Sequence, residues 1–335
     1  MTEEARIAPF CVRTAASVAL LVGAVGLVQG QDSGIEGDDV EQIVHSEEAE
    51  VVLSLDMRTE FAFEADFGGG VGGGGVGTIE SVSYGGKLGV LVPIGDRARL
   101  LLTGKAEITD YDITPAVGVG GTTAATIGTQ FDTVAEYGFE GLYTRAIDAE
   151  WSFFVGGGIG VAAEGGASDA MIWNGIGGVA YQVNPKLRMG LGIGVYSRIE
   201  DDVRIVPIPQ VHYAIDDRWS LESQGIGGKL DYQWNEELSM GILGQFDGST
   251  FRINSDNTLA PDGAVTMTRF PVSYYIDYSG GEIGGGAGGS RVSIFAQVGM
   301  ILEGTMEVLS STGATLVDEE IDPGLFAAVG IRIQF

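Results

Sequence analysis

The chain ends Ala327-Ala328-Val329-Gly330-Ile331-Arg332-Ile333-Gln334-Phe335. Apolar side chains occupy positions 327, 329, 331, 333 and 335, with small or polar ones between them. A period of two sorts these residues onto opposite faces of a strand, whereas a helix would scatter them around its circumference. The stretch therefore predicts an amphipathic strand whose apolar face finishes on an aromatic ring.

The same pattern recurs upstream. Leu53, Leu55, Met57, Thr59, Phe61, Phe63, Ala65 and Phe67 share one face. Ser54, Asp56, Arg58, Glu60, Glu64 and Asp66 share the other. Alternation continues from Val82 to Ile94, from Ala98 to Ile108 and from Phe131 to Thr144. Further strands are expected to start near Glu150, Ala170, Leu187, Arg204, Trp219, Gly228, Glu237, Ala264, Arg291 and Gly324. The total is about 14, or 12 if the short pair between Trp219 and Trp234 falls below the roughly 9–11 residues that a membrane crossing needs.

Connections alternate in length. Tight turns are read at Gly95–Arg97, Ala146–Ala149, Val183–Lys186, Asp216–Arg218 and Asn235–Glu237. Longer segments are read at Gly68–Gly77, Asp112–Gln130, Glu164–Asp169, Ser249–Gly263 and Val308–Pro323, with a glycine-rich one at Ser279–Ser290. Tyr143, Trp151, Tyr181, Tyr213, Trp219 and Trp234 cluster beside the tight turns on the expected outward face. Aromatic rings with a polar handle favour the headgroup level of a bilayer. A soluble β-sandwich also alternates, but its strands are shorter, and it gives no reason for such a belt.

The N-terminal region differs. Thr14–Val28 is apolar, preceded by Arg6 and Arg13 and followed by small residues before Gln31, so residues 1–30 read as a secretory signal peptide. Residues 31–50 carry eight acids, His45 and no Lys or Arg, the composition of an acidic disordered leader. Residues 51–335 then form one barrel-sized unit. The lone cysteine, Cys11, falls before the apolar run, so no disulfide or cysteine metal site is expected in the mature chain. Net charge is −28, which repels nucleic acid. The 55 glycines show no collagen period and suit closely packed, curved strands.

Signal segment, alternation, aromatic belt and terminal strand together resemble the uncharacterised, porin-like outer-membrane β-barrel proteins of Gram-negative type. The resemblance covers residues 51–335 and implies a transmembrane antiparallel up-and-down β-barrel in the cell outer membrane. It implies contact with outer-membrane lipid and with the assembly machinery, which reads a terminal aromatic such as Phe335. Long-chain fatty-acid transporters are also fourteen-stranded but carry a sizeable N-terminal plug, and autotransporter translocators are preceded by a passenger. Neither feature is expected here. Barrel phospholipases, lipid deacylases and omptin-type proteases place Ser, Asp and His at the lipid face or outer rim. Here His212 is expected mid-strand and inward, so no enzyme is expected.

What chemistry there is lies on the inward face. Asp56, Arg58, Glu60, Glu64, Arg99, Lys105, Glu107, Glu136, Glu140, Arg269, Asp277 and Arg332 are the expected lumen-lining residues. Acids outnumber bases there, and rings of carboxylates attract cations. Two functions are consistent with this face. One is a passive porin-like channel for small hydrophilic solutes with mild cation preference. The other is a structural or surface-interaction barrel with an occluded lumen. The Gly68–Gly77 and Gly284–Gly289 runs lack the Lys-Ser/Thr ending of a phosphate loop. Glu200-Asp201-Asp202 and Asp318-Glu319-Glu320 lack EF-hand spacing and read as solvated acidic loops. No cofactor or metal is expected.

Overall fold

The computed structural model describes residues 51–68, 77–115, 133–165, 167–223, 225–258, 260–280 and 290–335. The expected signal segment and acidic leader, Asp132 and most of the Gly68–Gly77, Asp112–Gln130 and Ser279–Ser290 connections lie outside the described residues.

Sixteen strand segments follow one another. They are β1 (Val52–Gly68), β2 (Gly77–Ile94), β3 (Ala98–Pro115), β4 (Thr133–Ala146), β5 (Trp151–Glu164), β6 (Met171–Asn184), β7 (Leu187–Arg198) and β8 (Asp201–Ala214). Then come β9 (Trp219–Ser223), β10 (Gly227–Gln233), β11 (Leu238–Gln245), β12 (Asp247–Arg252), β13 (Ala264–Ser279), β14 (Arg291–Leu309), β15 (Thr315–Ile321) and β16 (Gly324–Gln334). Segments β11 and β12 are one strand broken at Phe246, since both pair along β13. Likewise β15 and β16 are one strand broken at 322–323, since both pair along β14 and β1. The result is a closed antiparallel barrel of 14 strands. The predicted pair between Trp219 and Trp234 is present but short, with five and seven residues.

The terminal strand closes the ring. β16 pairs with β1 from Ser54↔Gln334 to Ala62↔Phe326. Leu53 and Phe335 exchange backbone hydrogen bonds at the end of this seam. Outward positions are apolar and exposed, among them Met57, Leu88, Tyr137, Phe139, Val155, Leu191, Ile205 and Val298. In water such a coat would cost about 25 cal/mol per Å². Against hydrocarbon it is the matching surface. Near the tight turns Trp151 packs tilted against Tyr181 at 4.8 Å and Trp219 against Tyr232 at 4.8 Å, with Trp234 beside Tyr232 at 6.2 Å. These rings form the belt expected from the sequence.

Three of the tight turns share one construction. Asp148 accepts hydrogen bonds from the backbone N–H groups of Glu150 and Trp151, and Asp216 from those of Arg218 and Trp219. Asn235 accepts from Glu237 and Leu238 in the same way. The short Asx side chain stands in for a backbone acceptor and fixes the hairpin register. The donors at Trp151 and Glu150 hold the Asp148 carboxyl below its ordinary range, and those at Arg218 and Trp219 do so for Asp216. This stabilisation is full above the unfolded carboxylate range and is lost as pH falls through the depressed value. Asp216→Ala is therefore expected to lower the urea midpoint of the refolded barrel. Asp216→Asn should keep the neutral-pH midpoint but lose less of it on acidification than wild type. Equal acid sensitivity in both would remove the carboxylate from this role.

Two departures from strict alternation shape the interior. The first is a bulge in β1 between Ala62 and Ala65. A one-residue slip exchanges the faces, so Phe67 turns inward and is buried while Glu64 is exposed. Both therefore lie opposite to the faces expected from unbroken alternation. The second is the 308–323 stretch, expected as a long loop. It is instead a β14–β15 hairpin with a turn at 310–314.

Inside, much of the barrel is filled. Phe67, Ile79, Ile113, Val134, Ala162, Phe251, Val265, Met306, Val308 and Val317 form an apolar cluster at the end remote from the tight turns. A second cluster joins Leu142, Phe154, Ile176, Tyr196 and Val206 from β4 to β8. Glycine makes this second one possible. A Cβ at Gly178 would lie 2.5 Å from the Phe154 ring, and one at Gly192 would lie 2.7 Å from it. The two bare backbones are thus the seat on which the ring lies.

Candidate functional site: a charged lumen under an apolar seal

Between the seal and the tight-turn end lies a cavity of about 330 Å³. Inward positions of β1, β2, β3, β4 and β13 supply most of its polar wall. Asp56, Arg58, Glu60, Lys105, Glu107, Glu136, Arg269, Asp277 and Arg332 all line it. So do Lys87, Lys229, Asp247, Tyr111 and Gln297. Its ceiling is the underside of the apolar cluster, where Ile79, Val134, Ala162, Phe251 and Met267 face the space.

Most of the charges are paired. Lys105 donates to Glu136 at 2.6 Å. Arg332 donates to Asp56 at 3.2 Å, across the closing seam. Arg269 is a bridge between distant strands: it donates to Asp247 on β12 at 2.5 Å and to Glu60 on β1 at 2.6 Å. Glu60 also accepts from Arg58, whose other contact is Gln297 at 3.5 Å. Lys229 sits 3.6 Å from Asp231 and 5.0 Å from the centre of the Tyr275 ring. Among the described lining residues, six inward carboxylates (Asp56, Glu60, Glu107, Glu136, Asp247, Asp277) stand against six cations (Arg58, Lys87, Lys105, Lys229, Arg269, Arg332). Glu80, one position from the inward Ile79, and Asp322, in the break before β16, are exposed at the margin of the cavity.

Three expected lining residues stand elsewhere. Glu64 lies past the β1 bulge and is exposed. Arg99 is nearer the tight turns on β3, opposite Pro93 and Thr144. Glu140 is buried in a smaller pocket beside Tyr196 and Asn174. His212 lies opposite Glu222 on β9, its Nδ1 3.5 Å from the carboxylate. Among the described residues no group of three or more metal-ligating side chains converges.

Two of the acids expected in a solvated loop are in ion pairs instead. Glu200 accepts from Arg252 at 2.7 Å, and Asp201 pairs with Arg198. Alternation alone did not reveal Asp247, Arg198 or Arg252 as functional positions. Asp247 precedes and Arg252 lies within the Ser249–Gly263 stretch read as a loop, and Arg198, at the end of β7, pairs with Glu307 on β14 as well as with Asp201 across its own turn.

A model of a domain of unknown function (DUF6268) matches residues 131–268, from β4 into β13. No curated protein matches the chain. An outer membrane channel from Pseudomonas putida F1 is similar over 86% of this chain and 98% of its own, at 12% identity and a TM-score of 0.41. A Pseudomonas aeruginosa FadL homologue is similar over 85% and 90%, at 10% identity and a TM-score of 0.35. The KdgM porin is similar over 83% and 97%, at 8% identity and a TM-score of 0.29. Similarities of this size do not transfer a function, and the barrel reading rests on the closed sheet itself.

Proposed function

We propose that the chain is an outer-membrane channel for small hydrophilic solutes, with mild preference for cations, held shut at its outer end in the conformation described. The observation that carries this reading is a cavity walled by charged side chains lying directly beneath a layer of apolar ones. A hydrophobic constriction blocks ions by excluding water, while the wall below it selects by charge. Lipid is the partner of the apolar coat, and the assembly machinery is the partner of the strand ending at Phe335.

The second reading, a structural barrel with an occluded lumen, is favoured by the extent of the ion pairing. Planar-bilayer recording of the purified protein separates the two. The channel reading expects brief, infrequent openings whose reversal potential in a salt gradient reports cations. The double variant Glu107→Gln/Asp277→Asn should move that potential toward zero selectivity. Anion preference in the wild type, or silence even after the apolar seal is thinned, would leave the structural reading.

A further inference from the structure

The upper ends of four neighbouring segments do not behave as barrel wall. On β13, Val265 and Met267 face the apolar cluster, so Ala264 and Thr266 face away from it. A wall residue facing away should meet lipid, yet Ala264 is 0% exposed and Thr266 is 6% exposed. Ala264 and Leu309 pack instead with Ile199, from the β7–β8 turn. Here the sheet rolls past itself. The β7–β8 turn lies outside, and β12 with the ends of β13 and β14 lies inside.

The short β9–β10 hairpin leaves room for this overlap. β8 pairs with β9 only from His212 to Ala214, and the rest of that edge carries Pro207 and Pro209. Proline offers no N–H, which is how an unpaired edge is kept from recruiting a strand. β12 instead turns inward and meets β5 at one parallel position, Arg252↔Ala163.

A line of lapsed pairing runs beneath this inner piece. It passes through the β1 bulge at Ala62–Ala65, the break at 322–323, the slip between Arg269 and Pro271 and the break at Phe246. Register places these at one height, because Arg269 faces Gly304, Gly304 faces Ile321 and Ile321 faces Phe67.

Arg252 fastens the inner piece. It donates to the Glu200 carboxylate at 2.7 Å, to the Asp169 carbonyl at 3.0 Å and to the Asp262 carbonyl at 2.6 Å. Asp169, Glu200 and Asp262 have φ of 55°, 59° and 53°, and among the described residues they are the non-glycine positions in the left-handed region. Such conformations persist only where surroundings hold them. Three loops are thus held in strained form by one guanidinium.

From this we infer that β12, with the adjoining ends of β13 and β14 and with β15, is the channel's gate. It is hinged on the line of lapsed pairing and latched shut by Arg252. Opening parts β12 from β5 and withdraws Phe251 and Met306 from the seal. The inference rests on the channel reading for its purpose but not for its motion.

Both are tested with the Ala163→Cys/Arg252→Cys barrel in liposomes. The only native cysteine, Cys11, precedes the described residues. Oxidation should form the disulfide and keep liposomes tight to a small sugar. Reduction leaves the latch missing and should raise flux by about tenfold, the change expected when a minor state becomes dominant. Hydrogen exchange of the β12 amides should be slow when oxidised and fast when reduced. Failure to cross-link, or equal exchange in both forms, would overturn the gate. Exchange that responds to reduction while liposomes stay tight would uphold the gate's motion and overturn the channel reading.

Discussion

Phe251→Ala should both weaken the barrel and make it conduct. Phe251 is 1% exposed and stacks on Tyr111 with ring centres 6.0 Å apart. It lies in the seal with Met306 and Val265, each 0% exposed. Truncating a buried Phe costs about 3–5 kcal/mol, through lost burial plus the void left behind. Phe251 also lines the charged cavity from within the apolar cluster, so the void thins the seal above it. The expected result is a lower urea midpoint, read by heat-modifiable gel migration, together with ion current at potentials where wild type is silent. A destabilised variant that stays silent would mean that the seal is not what blocks the lumen.

The second large effect concerns Glu60. Its carboxylate is buried and accepts from both Arg58 and Arg269. Removing one member of a buried ion network strands the others, typically at about 3–5 kcal/mol. Glu60→Ala is expected to lose stability on this scale. Replacing Glu60, Arg269 and Asp247 together by apolar residues of similar volume should recover most of it, because the only charge then deprived of its partner is Arg58, which is partly exposed and keeps Gln297 beside it. If the triple variant is as unstable as the single one, the charges act through something other than each other. Arg269 and Asp247 also lie on the line of lapsed pairing. The triple variant should therefore alter gating even where stability returns.

Much of this architecture can be read from the chain because membrane strands separate apolar and polar residues so cleanly. Alternation from Val51 onward, the aromatic belt and the strand ending at Phe335 gave the barrel and its strand count. What alternation misses is a slip by one residue. Phe61, Phe63, Ala65 and Phe67 keep the same spacing whether or not a bulge intervenes, so nothing in hydropathy says that Phe67 has turned inward. Ion-pair partners were equally hidden. Glu60 and Arg269 are expected to face inward from sequence, yet their contact depends on how the wall folds between β1 and β13. Proline was the overlooked signal. Pro207 and Pro209 mark the unpaired edge of β8, Pro271 the slip between β13 and β14 and Pro323 the break before β16. Each sits where a strand can do without an N–H. Glu200 and Asp201 were misjudged for a related reason. Charge in a turn looks solvated until the partner guanidinium, Arg252 or Arg198, is placed by tertiary structure.

The seam between Leu53 and Phe335 also bears on the order of assembly. These residues lie near opposite ends of the described chain, and they share two backbone hydrogen bonds. Contacts this remote in sequence form slowly, because the intervening loop must first be brought together. Synthesis and translocation deliver one of these edges first and the other last. Both must wait as exposed templates until hairpins between them have zipped. A reporter fused behind Phe335 would hang from the final joint of the ring, where it would obstruct closure more than the same reporter placed in an outer loop.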